Sequence, residues 1–182
     1  MRNIEISRPR KEDIEIINDF FKRVIQHTFE RNGIGDLLET IEGEIRYKRV
    51  ILNQDFESEG RDRYFLVAKD EEKIVGSIEY GPSNELIHKC TNGEFKDLLE
   101  IGTVFVDPDY QNQGLGSRLL SSIFTEFEYK GVKEFCFDSG YPSAQQVWIK
   151  KFGKPAYHIK DFWGEGGDHM VWRIELKDAL TR

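Results

Sequence analysis

An α/β fold built on a mixed sheet is predicted from three features of the sequence. A short apolar run, Val104-Phe105-Val106, ends just before Pro108; a polar turn follows, and two glycines then open an amphipathic segment over residues 115–129. Residues 64–68 and 74–80 are β-rich runs separated by Asp70-Glu71-Glu72-Lys73, the pattern of a hairpin. Near the C-terminus Met170, Trp172, Ile174 and Leu176 alternate with Val171, Arg173 and Glu175, the period of a strand. A chain of 182 residues with 38% hydrophobic content suits one domain, residues 1–182, with a substantial core.

In chain order, residues 3–7 alternate weakly and read as a first strand, and Pro9 precedes an acidic helix start at Glu12 and Asp13. Ile14, Ile17, Phe21 and Val24 keep helical spacing; Leu37, Leu38, Ile41 and Ile45 do so again beyond Gly33-Ile34-Gly35. Residues 10–52 are therefore expected as two helices joined by a loop. Residues 83–98 form a long link containing His88 and Cys90, whose spacing suggests neither a metal site nor a catalytic thiol. Leu115, Leu119, Leu120, Ile123, Phe124 and Phe127 lie along one helical face, stopped by Gly131. Residues 134–137 read as a strand and 143–152 as a helix ending at Gly153, with Val147, Trp148 and Phe152 inward. Gly164-Glu165-Gly166-Gly167-Asp168 reads as a turn.

Composition narrows the function. A net charge of −7 argues against nucleic acid, whose binders cluster Lys and Arg. There is no charged-then-apolar leader and no apolar run of about 18 residues, so no membrane partner is expected and the mature chain is expected to begin at Met1. Two cysteines, Cys90 and Cys136, are too few for a disulfide framework, which suits the cytoplasm.

The stretch from Val104 to Ser117 carries the chemistry. The first amides of a helix have no intrahelical acceptor, and the peptide dipoles add partial positive charge, so a helix start favours an anion. Gly114 and Gly116 remove side chains that would keep a phosphate away. The dinucleotide fingerprint fails because position 119 is Leu119, and no Gly-Lys-Ser/Thr loop occurs. Gln111-Asn112-Gln113-Gly114-Leu115-Gly116, behind a strand ending Val106-Asp107-Pro108, resembles the signature of the GNAT family of acetyl-CoA-dependent N-acetyltransferases.

The resemblance implies a central mixed, largely antiparallel sheet flanked by helices, with acetyl-CoA as cosubstrate and no metal. Its pantetheine would pair with the backbone of Val104, Phe105 and Val106, and its pyrophosphate would lie in the cradle of Gln111, Asn112, Gln113, Gly114, Leu115, Gly116 and Ser117. The Phe105 N–H would stabilise a developing oxyanion. Glu100, at the offset where some members carry a catalytic glutamate, would be the base, with a strand-start residue facing solvent as the competing reading. Ile149 stands where the family often has a tyrosine that protonates the leaving thiolate, so water, Tyr141 or Tyr157 would supply that proton. Glu30, Asp36, Glu39, Glu42 and Glu44 lie where the family builds its acceptor pocket, although such a run also suits a solvated face. The implied activity is acetyl transfer to a primary amine of a small molecule or peptide by direct attack. The alternative is a catalytically silent coenzyme A-binding sensor or interaction module. The oligomeric state is left open, a homodimer included.

Overall fold

Strands and helices are interspersed along the chain in the computed structural model, which describes residues 4–181. In chain order they are β1 (Ile4–Ser7), α1 (Ile14–Arg31), α2 (Leu38–Ser58), β2 (Tyr64–Asp70), β3 (Lys73–Pro82), α3 (Glu85–Cys90), β4 (Leu99–Val106), α4 (Leu115–Lys130), β5 (Glu134–Ser139), α5 (Pro142–Phe152), β6 (Tyr157–Ile159), β7 (His169–Glu175) and α6 (Leu176–Leu180). Seven strands form one mixed sheet in the order β1-β2-β3-β4-β5-β7-β6. β4 and β5 run parallel, whereas β1–β2, β2–β3, β5–β7 and β6–β7 are antiparallel. The expected mixed α/β architecture is therefore present. Asn3, expected at the start of the first strand, lies outside the described residues. The chain divides into two compact units, Met1–Tyr80 with Thr103–Ile123 and Gly81–Gly102 with Phe124–Arg182.

In the first unit, α1 buries Ile17, Phe20, Phe21, Val24, Ile25 and Phe29, the stripe that its spacing predicts. α2 runs to Ser58, well beyond the expected boundary at residue 52, and stops where Glu59 and Gly60 turn left-handed. Leu37 and Leu38 are exposed rather than inward; Ile41 and Ile45 are buried. The β2–β3 hairpin closes tightly, pairing Asp70 with Lys73. All six apolar positions expected of α4 are buried, and the helix ends at Gly131, with φ +71.

In the second unit, Phe137 stacks on Trp172 with ring centroids 5.0 Å apart, and Trp148 and Phe152 pack against Phe137. Val147, expected inward, is 56% exposed, and Gln145 is buried in its place. Gln145 spends its amide bridging the Ser139 and Asp168 carbonyls, each at 2.9 Å. The other face of this part of the sheet carries a smaller cluster of Ile87, Phe95, Cys136 and Val171. Both faces of β7 are covered from His169 to Trp172, so the expected alternation holds only beyond it, and Leu176 opens α6 instead of ending the strand.

Candidate active site

The turn before α4 is built by side chains that cap it. Asp107 accepts the Asp109 N–H at 3.0 Å and binds Arg23 at 2.9 Å and Lys73 at 3.1 Å. Burial pushes the Asp107 carboxyl up, but those three partners together hold it below the usual carboxylate range. Tyr110, buried, donates its hydroxyl proton to Asp70 at 2.7 Å. Asn112 and Gly114 then take φ values of +58° and +80°, reversing the chain into the helix. A Cβ on Gly114 would meet nothing within 4 Å, and one on Gly116 only Val106 Cγ2 at 3.8 Å. Arg118 N–H donates to the Gly114 carbonyl, so the Leu115 and Gly116 amides stand ahead of this intrahelical bond. The stretch expected to hold the pyrophosphate is thus an open helix start.

Gln111 joins the cradle to β4: its Nε2 donates to the Val106 carbonyl at 3.2 Å, and its Oε1 accepts from Arg31 at 3.2 Å. Arg31 adds a cation beside the cradle that no local motif announces.

One edge of β4 is held by a buried polar chain. Thr103 lies at φ +51°, a left-handed conformation that a β-branched residue enters only under constraint. Its carbonyl accepts from Ser77 Oγ at 2.9 Å, and its hydroxyl donates to Glu79 Oε1 at 3.2 Å. Glu79 Oε2 in turn accepts from Arg63 at 2.6 Å, and Arg63 Nε reaches Gln54 at 3.3 Å. Beyond Thr103 the strand is regular. The Asp107 N–H donates to Val75 O, and the Phe105 carbonyl lies 3.3 Å from where a Cβ on Gly76 would stand. Because N–H and C=O of one strand residue point the same way and alternate along the chain, the Phe105 N–H faces β3. By the same alternation the amides of Val104 and Val106 face the opposite edge of β4.

In the second unit, Glu100 is buried, at 7% exposure, rather than facing solvent. Its Oε2 accepts the Asn84 N–H at 2.8 Å and its Oε1 the Asn84 side-chain amide at 2.9 Å. Asn84 Oδ1 caps α3 through the Ile87 N–H. His88 bonds Ser83, and burial raises both thiols, Cys90 and Cys136, above the ordinary value. Ile149 is 41% exposed. The Tyr157 hydroxyl donates to Glu94, which pushes the phenol up. Glu30, Asp36, Glu39 and Glu42, in the first unit, are exposed, and half-buried Glu44 pairs with Lys48 at 3.4 Å. Among the described residues, no three His, Cys, Asp or Glu side chains are grouped to hold a metal ion.

The model of the acetyltransferase (GNAT) family matches residues 24–153, well over half of the chain and including the whole of the cradle. This protein is a member of the GNAT family. Solved structures with this fold include the PaiA N-acetyltransferase of Thermoplasma acidophilum in complex with coenzyme A, 21% identical over 95% of this chain and 99% of that one, with a TM-score of 0.69. YncA of Salmonella typhimurium with acetyl-CoA is 17% identical over 96% and 94%, with a TM-score of 0.66. The ribosomal-protein-alanine N-acetyltransferase of Brucella melitensis is 16% identical over 94% and 99%, with a TM-score of 0.65. A GNAT domain is an acetyltransferase domain, and here the family match spans residues 111–117, β4 and all of α5.

Proposed function

We propose that this GNAT protein, acting as one catalytic domain, transfers an acetyl group from acetyl-CoA to the nitrogen of an amine acceptor by direct attack. The observation that carries the reading is the open start of α4 at Gly114 and Gly116, behind a strand whose outward amides belong to Val104 and Val106. Coenzyme A and acetyl-CoA in the PaiA and YncA structures support the same cosubstrate.

Residues 111–117 would hold the pyrophosphate through backbone amides and the helix dipole, with Arg31 adding charge. Acetyl-CoA supplies the activated thioester. The oxyanion role expected of Phe105 passes to Val104 or Val106, whose N–H groups are fixed dipoles on the outward edge of β4. The acceptor nitrogen must be unprotonated, because an ammonium has no lone pair. Glu100 would take that proton, directly or through water. The leaving thiolate would take its proton from solvent or Tyr141.

Thermal shift with acetyl-CoA, followed by thiol release across an amine panel, tests this reading. Stabilisation by acetyl-CoA with turnover of at least one amine is expected. Stabilisation without turnover of any amine would leave a coenzyme A-binding module in place of an enzyme.

A further inference from the structure

Asn84, in the second unit, joins the start of α3 to a buried carboxylate. Its Oδ1 accepts the Ile87 N–H at 2.9 Å and its backbone carbonyl accepts the His88 N–H at 3.1 Å, which builds the first turn of the helix. Its own N–H donates to Glu100 Oε2 at 2.8 Å, and its side-chain Nδ2 donates to Glu100 Oε1 at 2.9 Å. The orientation of that amide is forced. Turned over, it would set N–H against the Ile87 N–H and oxygen against the Glu100 carboxylate. One residue thus holds both oxygens of Glu100, and the carboxylate cannot rotate without giving up a bond.

The clamp is itself anchored. Buried Ser83 donates its hydroxyl proton to Phe95 O at 2.9 Å and, with that single proton committed, accepts from His88 Nε2 at 2.8 Å. Buried Thr91 donates to Ile87 O at 2.8 Å. Ile87 and Phe95 pack with Cys136 and Val171, and Cys136 lies opposite Glu100 in the parallel ladder. A helix cap alone does not require asparagine here, because aspartate and serine cap equally well. Aspartate would face Glu100 with oxygen, whereas asparagine accepts with one atom and donates with the other.

We propose that Asn84 is a positioning residue for the reaction, acting through Glu100 by aiming its carboxylate. This inference rests on the acetyl-transfer reading with Glu100 as the base, and deepens it. The proton passes from the acceptor nitrogen to a Glu100 oxygen, directly or through water. The electron pair it leaves on nitrogen forms the N–C bond, and the pair of the broken C–S bond leaves on sulfur. Asn84 gives up no proton in this sequence; it holds the oxygens where the proton is to arrive.

The test separates the cap from the clamp on the full chain, with thiol release from acetyl-CoA across the amine panel. Asn84→Ser keeps an oxygen for the Ile87 N–H and removes the amide donor to Glu100. Its kcat is expected to fall about tenfold or more, the worth of one hydrogen bond to a charged group, with acetyl-CoA affinity and hydrogen-exchange protection of residues 84–90 little changed. Asn84→Asp, which faces Glu100 with oxygen, should lose more. A double-mutant cycle reads whether Asn84 acts through Glu100: added to Glu100→Gln, Asn84→Ser should cost no more than about a further twofold, because the group it aims is already gone. Asn84→Asp combined with Glu100→Gln restores a donor–acceptor match, so α3 should be protected while turnover stays low. Wild-type kcat in Asn84→Ser, losses that multiply in the double variant, or turnover recovered in the matched pair overturns the positioning role and leaves acetyl transfer standing. Wild-type kcat in Glu100→Gln does the same. A wild-type protein that turns over no amine overturns the acetyl-transfer reading, and this role with it.

Discussion

Glu79 Oε1 accepts the Thr103 hydroxyl at 3.2 Å while its other oxygen binds Arg63 at 2.6 Å, so one carboxylate on β3 fixes the left-handed kink of β4. Glu79→Gln could keep its carbonyl on Arg63 and donate its amide to the Thr103 hydroxyl, but it would remove the negative charge that faces the buried guanidinium. A stability loss of about 1–3 kcal/mol is expected, with a fall in kcat larger than any change in acetyl-CoA affinity. Denaturant melts and steady-state kinetics check it; a variant with wild-type stability and rate would detach this network from the chemistry.

Gly114→Glu should abolish acetyl-CoA binding, because a carboxylate at the open helix start repels the pyrophosphate. Gly114→Ala separates charge from backbone strain. Alanine at φ +80 meets no atom within 4 Å, so its cost is conformational, about 1–2 kcal/mol of stability with affinity little changed. Calorimetry on both variants is decisive: equal affinities for Glu and wild type would remove the cradle.

For Glu100→Gln, turnover should fall on the order of 10²-fold, the scale of general base catalysis. The loss should shrink as pH rises and more of the acceptor amine is already neutral. The same substitution puts an amide N–H against one of the two Asn84 donors, so α3 should also fray earlier. Hydrogen exchange in residues 84–90 and kcat against pH together distinguish a base from a cap. A pH-independent deficit with early fraying would assign Glu100 to structure alone.

Acid sensitivity should reside in Asp107 and Asp13. Arg10 chiefly, with Lys69 against the cost of burial, holds Asp13 below its ordinary value, as Asp107 is held by its partners. Both folded values lie below that of the unfolded chain, near 3.9. The unfolded state therefore takes up protons first, and the stabilisation, complete above the unfolded value, is lost as pH falls through the folded one. Asp55 works in the opposite sense, since burial raises it despite the Phe65 N–H and Arg8. Asp107→Asn should lower stability near neutral pH and lose less than wild type on acidification to about pH 3. Equal acid slopes, followed by circular dichroism, would contradict the assignment.

The turn and helix start at Gly114 were legible in the sequence because their determinants are local: Pro108, the two glycines and the stripe from Leu115 to Phe127 all lie within twenty residues. The family resemblance read from that stretch agrees with the family match over residues 24–153. α3 escaped because six residues hold less than two helical turns, too few for periodicity, and its Asn84 cap is secured by Glu100, sixteen residues away. Thr103 has no sequence mark of its left-handed geometry, which partners on another strand impose. Which edge the Phe105 N–H serves was not legible either, because a register relative to β3 decides it. Val147 has the composition of a core residue but was turned outward when Gln145 took the inner position to satisfy two carbonyls.

The strands that end the sheet are β1, of four residues, and β6, of three. Each offers only a short row of unpaired backbone groups to another chain, and Pro9, two residues past β1, has no amide proton to extend that row. Growth by strand addition is thereby discouraged at both ends. Concentrated preparations should resist fibril formation, and any self-association should proceed through helices and loops instead of a continuous intermolecular ladder.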